Sequence, residues 1–243
     1  MTVRERADRL LVARGLFESR ARAQAAIAAG LVTADGVPVR KASEEISPTA
    51  DIAAKPAHPY VSRGGVKLAA ALDHFSLEVN GRVCLDVGAS TGGFSEVLLQ
   101  RGARQIFAVD VGRDQLHARL RGRIEISALE QTDIRTLDAS RLTTQPDLAT
   151  VDVSFISLKL VLPAIGKLLD AHATLVALIK PQFETQRGAG KKGIVRDAAT
   201  HAAVCDDILA FLASLGWRIG GLMPSPILGG DGNREFFVGA ERG

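Results

Sequence analysis

Residues 83–94 read Val83-Cys84-Leu85-Asp86-Val87-Gly88-Ala89-Ser90-Thr91-Gly92-Gly93-Phe94, and this stretch decides the fold. Val83, Leu85 and Val87 alternate with other residues in a short apolar run, the pattern of a buried strand. Asp86 and Gly88 stand at its C-terminal end, Thr91, Gly92 and Gly93 follow, and Phe94-Ser95-Glu96-Val97-Leu98-Leu99 has helical character. A strand that turns through glycines into a helix makes a ligand-cradling corner. The missing Cβ atoms let a ligand lie against the backbone, and the helix N-terminus offers free N–H groups. An ordinary βα turn shares that outline, so the ligand has to be read from the details. The dinucleotide pattern G-x-G-x-x-G fails at Ser90, and the corner has no Gly-Lys-Ser/Thr of a phosphate-gripping loop. What remains is D-x-G-x-x-x-G-G, whose strand-end acid suits a cationic amino-acid moiety better than a pyrophosphate.

Outward from this corner, strands alternate with helices. Gln105–Val109 predicts a second strand ending at Asp110, Ile124–Ala128 a third, Leu148–Val153 a fourth containing Asp152, and Thr174–Ile179 a fifth ending at Lys180. Helices are expected over 66–75, Leu158–Leu169 and Ala198–Leu215, with Trp217–Met223 and Glu235–Val238 closing the sheet. This alternation implies an α/β domain built on a parallel, doubly wound sheet. Ligands in such sheets sit at the carboxyl ends of the strands, the edge that would hold the corner, Asp110, Asp152 and Lys180. Asp110, about 20 residues past the glycines, can hold ribose hydroxyls or can simply cap a turn. Asp133, in a loop, could accept from an adenine amino group.

The corner resembles motif I of the S-adenosylmethionine (SAM) methyltransferases, which have a Rossmann-like sheet. That resemblance implies a SAM site formed by Asp86, Gly88, Ser90, Thr91, Gly92, Gly93 and Phe94, with Asp110 and Asp133.

The net charge is only +3, yet it is unevenly spread: residues 1–67 carry +4 and the remainder −1. A basic front on a near-neutral body suggests a polyanion-binding module joined to something else, although a solvated helix face would look similar. Residues 4–14 and Arg20–Ala29 read as helices, the second capped by Ser19 and ended by Gly30. Leu31–Thr33 and Val37–Val39 flank Asp35-Gly36 as a hairpin, with Pro38 confining the second arm to an edge. Ile46–Ile52 could add one more strand. Arg9-Leu10-Leu11, Gly15-Leu16-Phe17-Glu18-Ser19-Arg20, Ala23-Gln24, Ile27, Gly30, Val32, Gly36 and Val39 resemble the S4 RNA-binding domain. The resemblance implies a small α+β domain over residues 1–56 that presents arginines to RNA, with Arg4, Arg6, Arg20 and Arg22 as candidate contacts; guanidinium forks fit phosphate geometry. Lys55-Pro56-Ala57-His58-Pro59 reads as a semi-rigid linker to a second domain over 60–243.

Two cysteines, Cys84 and Cys205, each in an apolar segment, make no disulfide framework and suit a reducing cytosol. The charged N-terminus is unlike a signal peptide. The longest apolar run, Ala173–Ile179, is far short of the ~20 residues that span a bilayer. A cytoplasmic protein without a membrane partner is the expectation.

Lys180 abuts the apolar run Leu175–Ile179, where burial favours a neutral amine, a second lysine pushes the same way and carboxylates oppose it. Such opposed influences can make an amine that accepts a proton. Lys67, Asp152 in Val-Asp-Val-Ser-Phe-Ile-Ser-Leu, Lys180 in Ile-Lys-Pro-Gln-Phe-Glu and Glu235 in Gly-Asn-Arg-Glu-Phe-Phe match the Lys-Asp-Lys-Glu tetrad of the FtsJ-like (RrmJ-type) RNA 2′-O-methyltransferases. Taken singly, Lys67 and Glu235 read as surface charges. With the S4-like front, the whole chain resembles the TlyA family, rRNA 2′-O-methyltransferases historically labelled hemolysins. The resemblance implies methyl transfer from SAM to a cytidine ribose of ribosomal RNA, no metal, and a ribosomal subunit or its RNA as partner. The basic, glycine-rich run Arg187-Gly188-Ala189-Gly190-Lys191-Lys192-Gly193 would cover the RNA. Three other readings stay open: a membrane-active protein, a non-catalytic RNA-binding assembly factor, and a base methyltransferase, the last lacking its usual Asn/Asp-Pro-Pro-Tyr/Phe motif.

Overall fold

The computed structural model describes residues 4–185 and 193–243. The chain divides into two compact units, Met1–Pro59 and Tyr60–Gly243.

In the first unit, β1 (Glu5–Arg6) leads into α1 (Ala7–Ala13), and α2 (Arg20–Ala28) follows. The expected helix over 4–14 therefore starts late, because Glu5 and Arg6 pair with β4 (Glu45–Ile46). Ser19 caps α2 by accepting from the Arg22 N–H. β2 (Val32–Ala34), β3 (Val37–Pro38) and β5 (Ile52–Ala54) form a second sheet in the order β3-β2-β5, which leaves Pro38 on an edge. Asp35 and Gly36 both take positive φ, 49° and 76°, the geometry of a two-residue hairpin turn. The single strand expected over Ile46–Ile52 is two: a turn closed by Ala50 N–H on Ser47 O separates β4 from β5, and each joins a different sheet. Leu10, Leu11, Phe17, Ala23, Ile27, Val32 and Val39 form the core.

The second unit opens with α3 (Arg63–His74), which begins earlier than expected. Gly64 and Gly65 look like loop residues but lie in the helix. A Cβ on Gly65 would collide with the Tyr60 ring, so this glycine serves close packing. Then come β6 (Val83–Val87), α4 (Gly93–Gln100), β7 (Gln105–Val109), β8 (Ile126–Leu129), β9 (Leu148–Val151), α5 (Leu158–Leu168), β10 (Thr174–Ile179), the short α6 (Pro181–Glu184), α7 (Ala198–Ser214), β11 (Arg218–Pro224) and β12 (Phe236–Glu241). The third strand starts two residues later than expected, with Ile124 95% exposed. Two 3-10 turns, rather than a helix, link β8 to β9.

The sheet runs β11-β12-β10-β9-β6-β7-β8. All strands are parallel except β12, which inserts antiparallel between β10 and β11. The expected parallel sheet stands except at β12: β11 and β12 are adjacent in sequence and pair antiparallel, so β12 returns against β10. Side chains alternate across the sheet. Val83, Leu85 and Val87 face the core containing Leu158, Ile165 and Ile208, while Cys84 faces the one containing Leu68, Leu72, Phe94 and Leu98. The chain leaves β6 toward β7 and β8 and returns on the other side at β9. This is a topological switch point, with its crevice at the carboxyl ends of β6 and β9. No helix among the described residues is long and apolar enough to cross a membrane.

Candidate active site

Gly88 sits just past β6 with φ +83°, and a Cβ there would lie 2.6 Å from the Asp152 carbonyl oxygen. The ends of β6 and β9 thus touch backbone to backbone at the switch point, which only glycine permits. Gly92, at φ +89°, caps α4, and a Cβ on Gly93 would collide with Ser62 Oγ, so α4 starts hard against the start of α3. Between these glycines the Ser90 N–H donates to Asp110 Oδ2 (2.8 Å), and the Gly112 N–H donates to Asp110 Oδ1 (2.7 Å). Asp110 therefore ties the glycine loop to the end of β7.

Two cavities open on this edge. The larger, about 490 Å³, has apolar walls including Val87, Val109 and Ile134 and carries Asp110, Asp133 and Asp152. Apolar walls with a few convergent acceptors are what a nucleoside requires. The smaller, about 250 Å³, is bounded by Ser62, Arg63, Lys67 and Thr91. Gly88, Ser90 and Asp152 line both.

The four charged residues of the sequence motif form two ion pairs. Lys180 Nζ lies 2.7 Å from Asp152 Oδ1 and donates to Ser154 Oγ at 2.8 Å. Lys67 Nζ lies 2.5 Å from Glu235 Oε2. Lys67, Lys180 and Glu235 are all under 9% exposed, so neither Lys67 nor Glu235 is the surface charge that each resembles alone. They come from four elements: Lys67 from α3, Asp152 from the end of β9, Lys180 from the end of β10, and Glu235 from the residue before β12. The antiparallel insertion of β12 beside β10 sets Glu235 next to the Ile179–Lys180 strand end, since Ile179 pairs with Phe236.

One assignment changes. Asp86 does not reach either cavity. It is 0% exposed and accepts from Ser95 Oγ (2.6 Å) and Thr150 Oγ1 (3.1 Å). The reason is the two-residue period: Asp86 shares the Cys84 face, beneath α4. Burial, with Asp152 adding a little, pushes its carboxyl up to about 7, against the pull of the two hydroxyls. Phe94 borders the smaller cavity, yet its ring is 3% exposed and packs in the core 6.2 Å from the Phe237 ring. Asp133 does reach the larger cavity, with both oxygens engaged by Arg135, whose guanidinium lowers its pKa. Thr91 is exposed at the smaller cavity. On the first unit, Arg4 is exposed, Arg6 and Arg20 pair with Asp8, and Arg22 with Glu18. The basic run at 187–192 lies outside the described residues.

Residues that motif reading passed over also belong here. Ser154 shares Lys180 with Asp152, and its place two residues beyond Asp152 was the available signal. Phe155 is 90% exposed at φ +63°, lines the larger cavity, and stands 5.0 Å from the Phe183 ring. Glu184 accepts from Ser157 Oγ and the Leu158 N–H, fastening the loop after β9 to the turn after β10. Asn233 accepts from the Val195 N–H and donates to Gly193 O, two residues before Glu235. No sequence spacing announces the contacts of Phe155, Glu184 and Asn233. Among the described residues no cluster of three or more His, Cys, Asp or Glu could hold a metal ion.

Comparison with known proteins gives two family matches: the FtsJ-like methyltransferase model over residues 60–242 and the S4 domain model over residues 5–52. The 16S/23S rRNA (cytidine-2′-O)-methyltransferase TlyA of Mycobacterium tuberculosis is 42% identical over 241 residues, 98% of this chain and 90% of that protein. A solved structure from Streptococcus thermophilus that bears a hemolysin name is 42% identical with TM-score 0.78, covering 100% of this chain and 90% of that one. Magnesium protoporphyrin IX methyltransferase of Synechocystis, solved with bound S-adenosylhomocysteine, shares the fold at 16% identity and TM-score 0.52, over 74% of this chain and 82% of its own. The chain belongs to the FtsJ-like methyltransferase family, with an S4 domain in front and S-adenosylmethionine as its cofactor.

Proposed function

We propose that this protein methylates a ribose 2′-hydroxyl of ribosomal RNA, on a cytidine as the TlyA relative's name states for that enzyme. The observation that carries the reading is the pairing of Lys180 with Asp152, which lines both cavities, together with the pairing of Lys67, which lines the smaller one, with Glu235. The larger cavity fits S-adenosylmethionine. Gly88 leaves room for a close backbone approach, the apolar walls suit an adenine, and Asp110 offers carboxylate lone pairs to ribose hydroxyls while it braces the Ser90 loop. That cofactor supplies an already activated methyl group.

The chain's own task is then positioning, which carries much of the rate in such transfers. Lys180 Nζ stands 2.7 Å from Asp152 Oδ1 and donates to Ser154 Oγ, and as a neutral amine it keeps a lone pair for a hydroxyl proton. In its neutral form Lys180 takes the hydroxyl proton, directly or through water, and Asp152 steadies the ammonium that results. Lys67, held by Glu235, fixes the ribose from the smaller cavity. Phe155, exposed and backed by Phe183, offers the base a stacking face. The two units divide the work: residues 1–56 dock on RNA through Arg4, Arg6, Arg20 and Arg22, and residues 60–243 perform the transfer. The ribosomal subunit or its RNA is the partner. Buried free thiols at Cys84 and Cys205 fit a cytoplasmic setting.

The test is transfer of a radiolabelled methyl group from S-adenosylmethionine to ribosomal RNA. Lys180→Ala should bind the cofactor almost as the wild type does and lose transfer. Full transfer by that variant ends the assignment.

A further inference from the structure

Asp8 is the one fully buried carboxylate of the first unit among the described residues. Its two oxygens collect five side-chain N–H contacts. Arg6 reaches Oδ1 through Nε and Oδ2 through Nη2, both at 3.1 Å. Arg20 reaches Oδ2 through Nε (3.2 Å) and Nη2 (2.8 Å), and Gln24 Nε2 reaches it at 2.8 Å. The three donors come from β1, the first residue of α2 and the next turn of α2, so one acid gathers the start of both helices. The side chain of Asp8 is 0% exposed, whereas those of Arg6 and Arg20 are 39% and 50% exposed. Each guanidinium turns one edge inward to Asp8 and keeps Nη1 outside that grip.

Arginines this exposed do not need a buried partner for solvation, and taking a carboxylate out of water is costly unless it is fully paired. What the arrangement achieves is orientation. A free arginine samples many rotamers and loses that freedom when it binds. Resting on the reading that this unit binds RNA, we infer that Asp8 is a positioning residue: it locks Arg6 and Arg20 so that their outer N–H edges form a two-pronged seat for RNA backbone phosphates.

Charge alone predicts the opposite. The trio carries +1, and removing the negative charge of Asp8 would raise it, tightening RNA binding by simple attraction. Positioning predicts that the same change weakens binding. The experiment uses the full chain, with Asp8→Asn and Arg20→Lys, the second keeping the charge while losing the planar fork. Retention of ribosomal RNA on filters is measured across a salt series, with methyl-transfer kinetics and S-adenosylmethionine titration alongside, and circular dichroism to establish folding. The expected result is a rise of about tenfold in the RNA Kd for each variant, the loss of roughly one charged hydrogen-bond pair. The loss should fall on KM for RNA rather than kcat, with cofactor affinity unmoved. Folded Asp8→Asn that binds RNA as tightly as the wild type, or more tightly, overturns the inference. Should Asp8→Asn not fold, Arg20→Lys decides, and wild-type affinity there overturns it equally. Absence of methyl transfer by the wild-type chain would strike the proposed reaction instead, while the filter assay still decides the role of Asp8.

Discussion

Asp86 gives the sharpest prediction about this fold, because it is a carboxylate sealed under α4 with only two hydroxyls as partners. Its pKa rises from 3.8 to about 7, chiefly because burial penalises the charged form. The sign follows from proton linkage. Between the two values the folded state holds a proton that the unfolded state has released. The stability this group contributes is therefore complete below its unfolded pKa and is lost as pH rises toward 7. The loss is about 1.4 kcal/mol per pH unit, or roughly 4 kcal/mol across the interval. Asp86→Asn removes the titration but keeps shape and hydrogen bonding, since both hydroxyls can rotate to meet an amide. Urea unfolding followed by fluorescence isolates this unit, because Trp217 is the chain's single tryptophan and lies buried in its core. The stability of the Asn variant relative to wild type should climb steadily from about pH 4 to 7 and level off above, following that slope. A pH-independent gap would refute the reasoning. Cofactor titration provides a second check. A carboxylate 0% exposed cannot touch S-adenosylmethionine, so the variant should lose less than about tenfold in affinity, whereas removal of a direct charged contact costs about 10- to 100-fold.

Three further outcomes follow from the site. Gly88→Ala combines a left-handed backbone with a Cβ 2.6 Å from the Asp152 carbonyl, so calorimetry should show at least about tenfold weaker cofactor binding and the melting temperature should fall. Lys67→Ala strands Glu235 at 4% exposure, with an expected loss of about 3–5 kcal/mol in urea unfolding. Adding Glu235→Gln to Lys67→Met should recover most of that stability without recovering methyl transfer; a double-variant loss equal to the sum of the two single losses would show that the pair is not coupled.

The sheet and its glycine corner were legible because they rest on short-range pattern: the alternation at Val83, Leu85 and Val87, then glycines, then a helix. The same pattern carried one misreading. Period-two alternation assigns Asp86 to the face of Cys84, yet its place near the strand end suggested an open charge facing a ligand. The antiparallel β12 was not legible from alternation of strands and helices, since only tertiary pairing inserts Phe236–Glu241 between β10 and β11. That insertion is also what brings Glu235 beside Lys67, residues 168 positions apart. The tetrad could be assembled from the sequence only by its likeness to a family motif. Contacts such as Ser154 with Lys180 and Glu184 with Ser157 depend on where loops meet, and no local propensity encodes that. At the front of the chain, Arg6 and Arg20 were legible as cations, but the buried acid that holds them was not, because an Asp beside an Arg in a charged helix start looks like any solvated pair.

The central claim is that Lys180 addresses a sugar oxygen at the wall shared by the two cavities. Mass-spectrometric mapping of ribosomal RNA, digested to nucleosides and fragments after incubation with wild-type protein, with Lys180→Ala or with none, tests it directly. The account predicts a ribose 2′-O-methyl mark on cytidine with the wild type alone. A methyl group on a base, or the same ribose mark produced by Lys180→Ala, would contradict it.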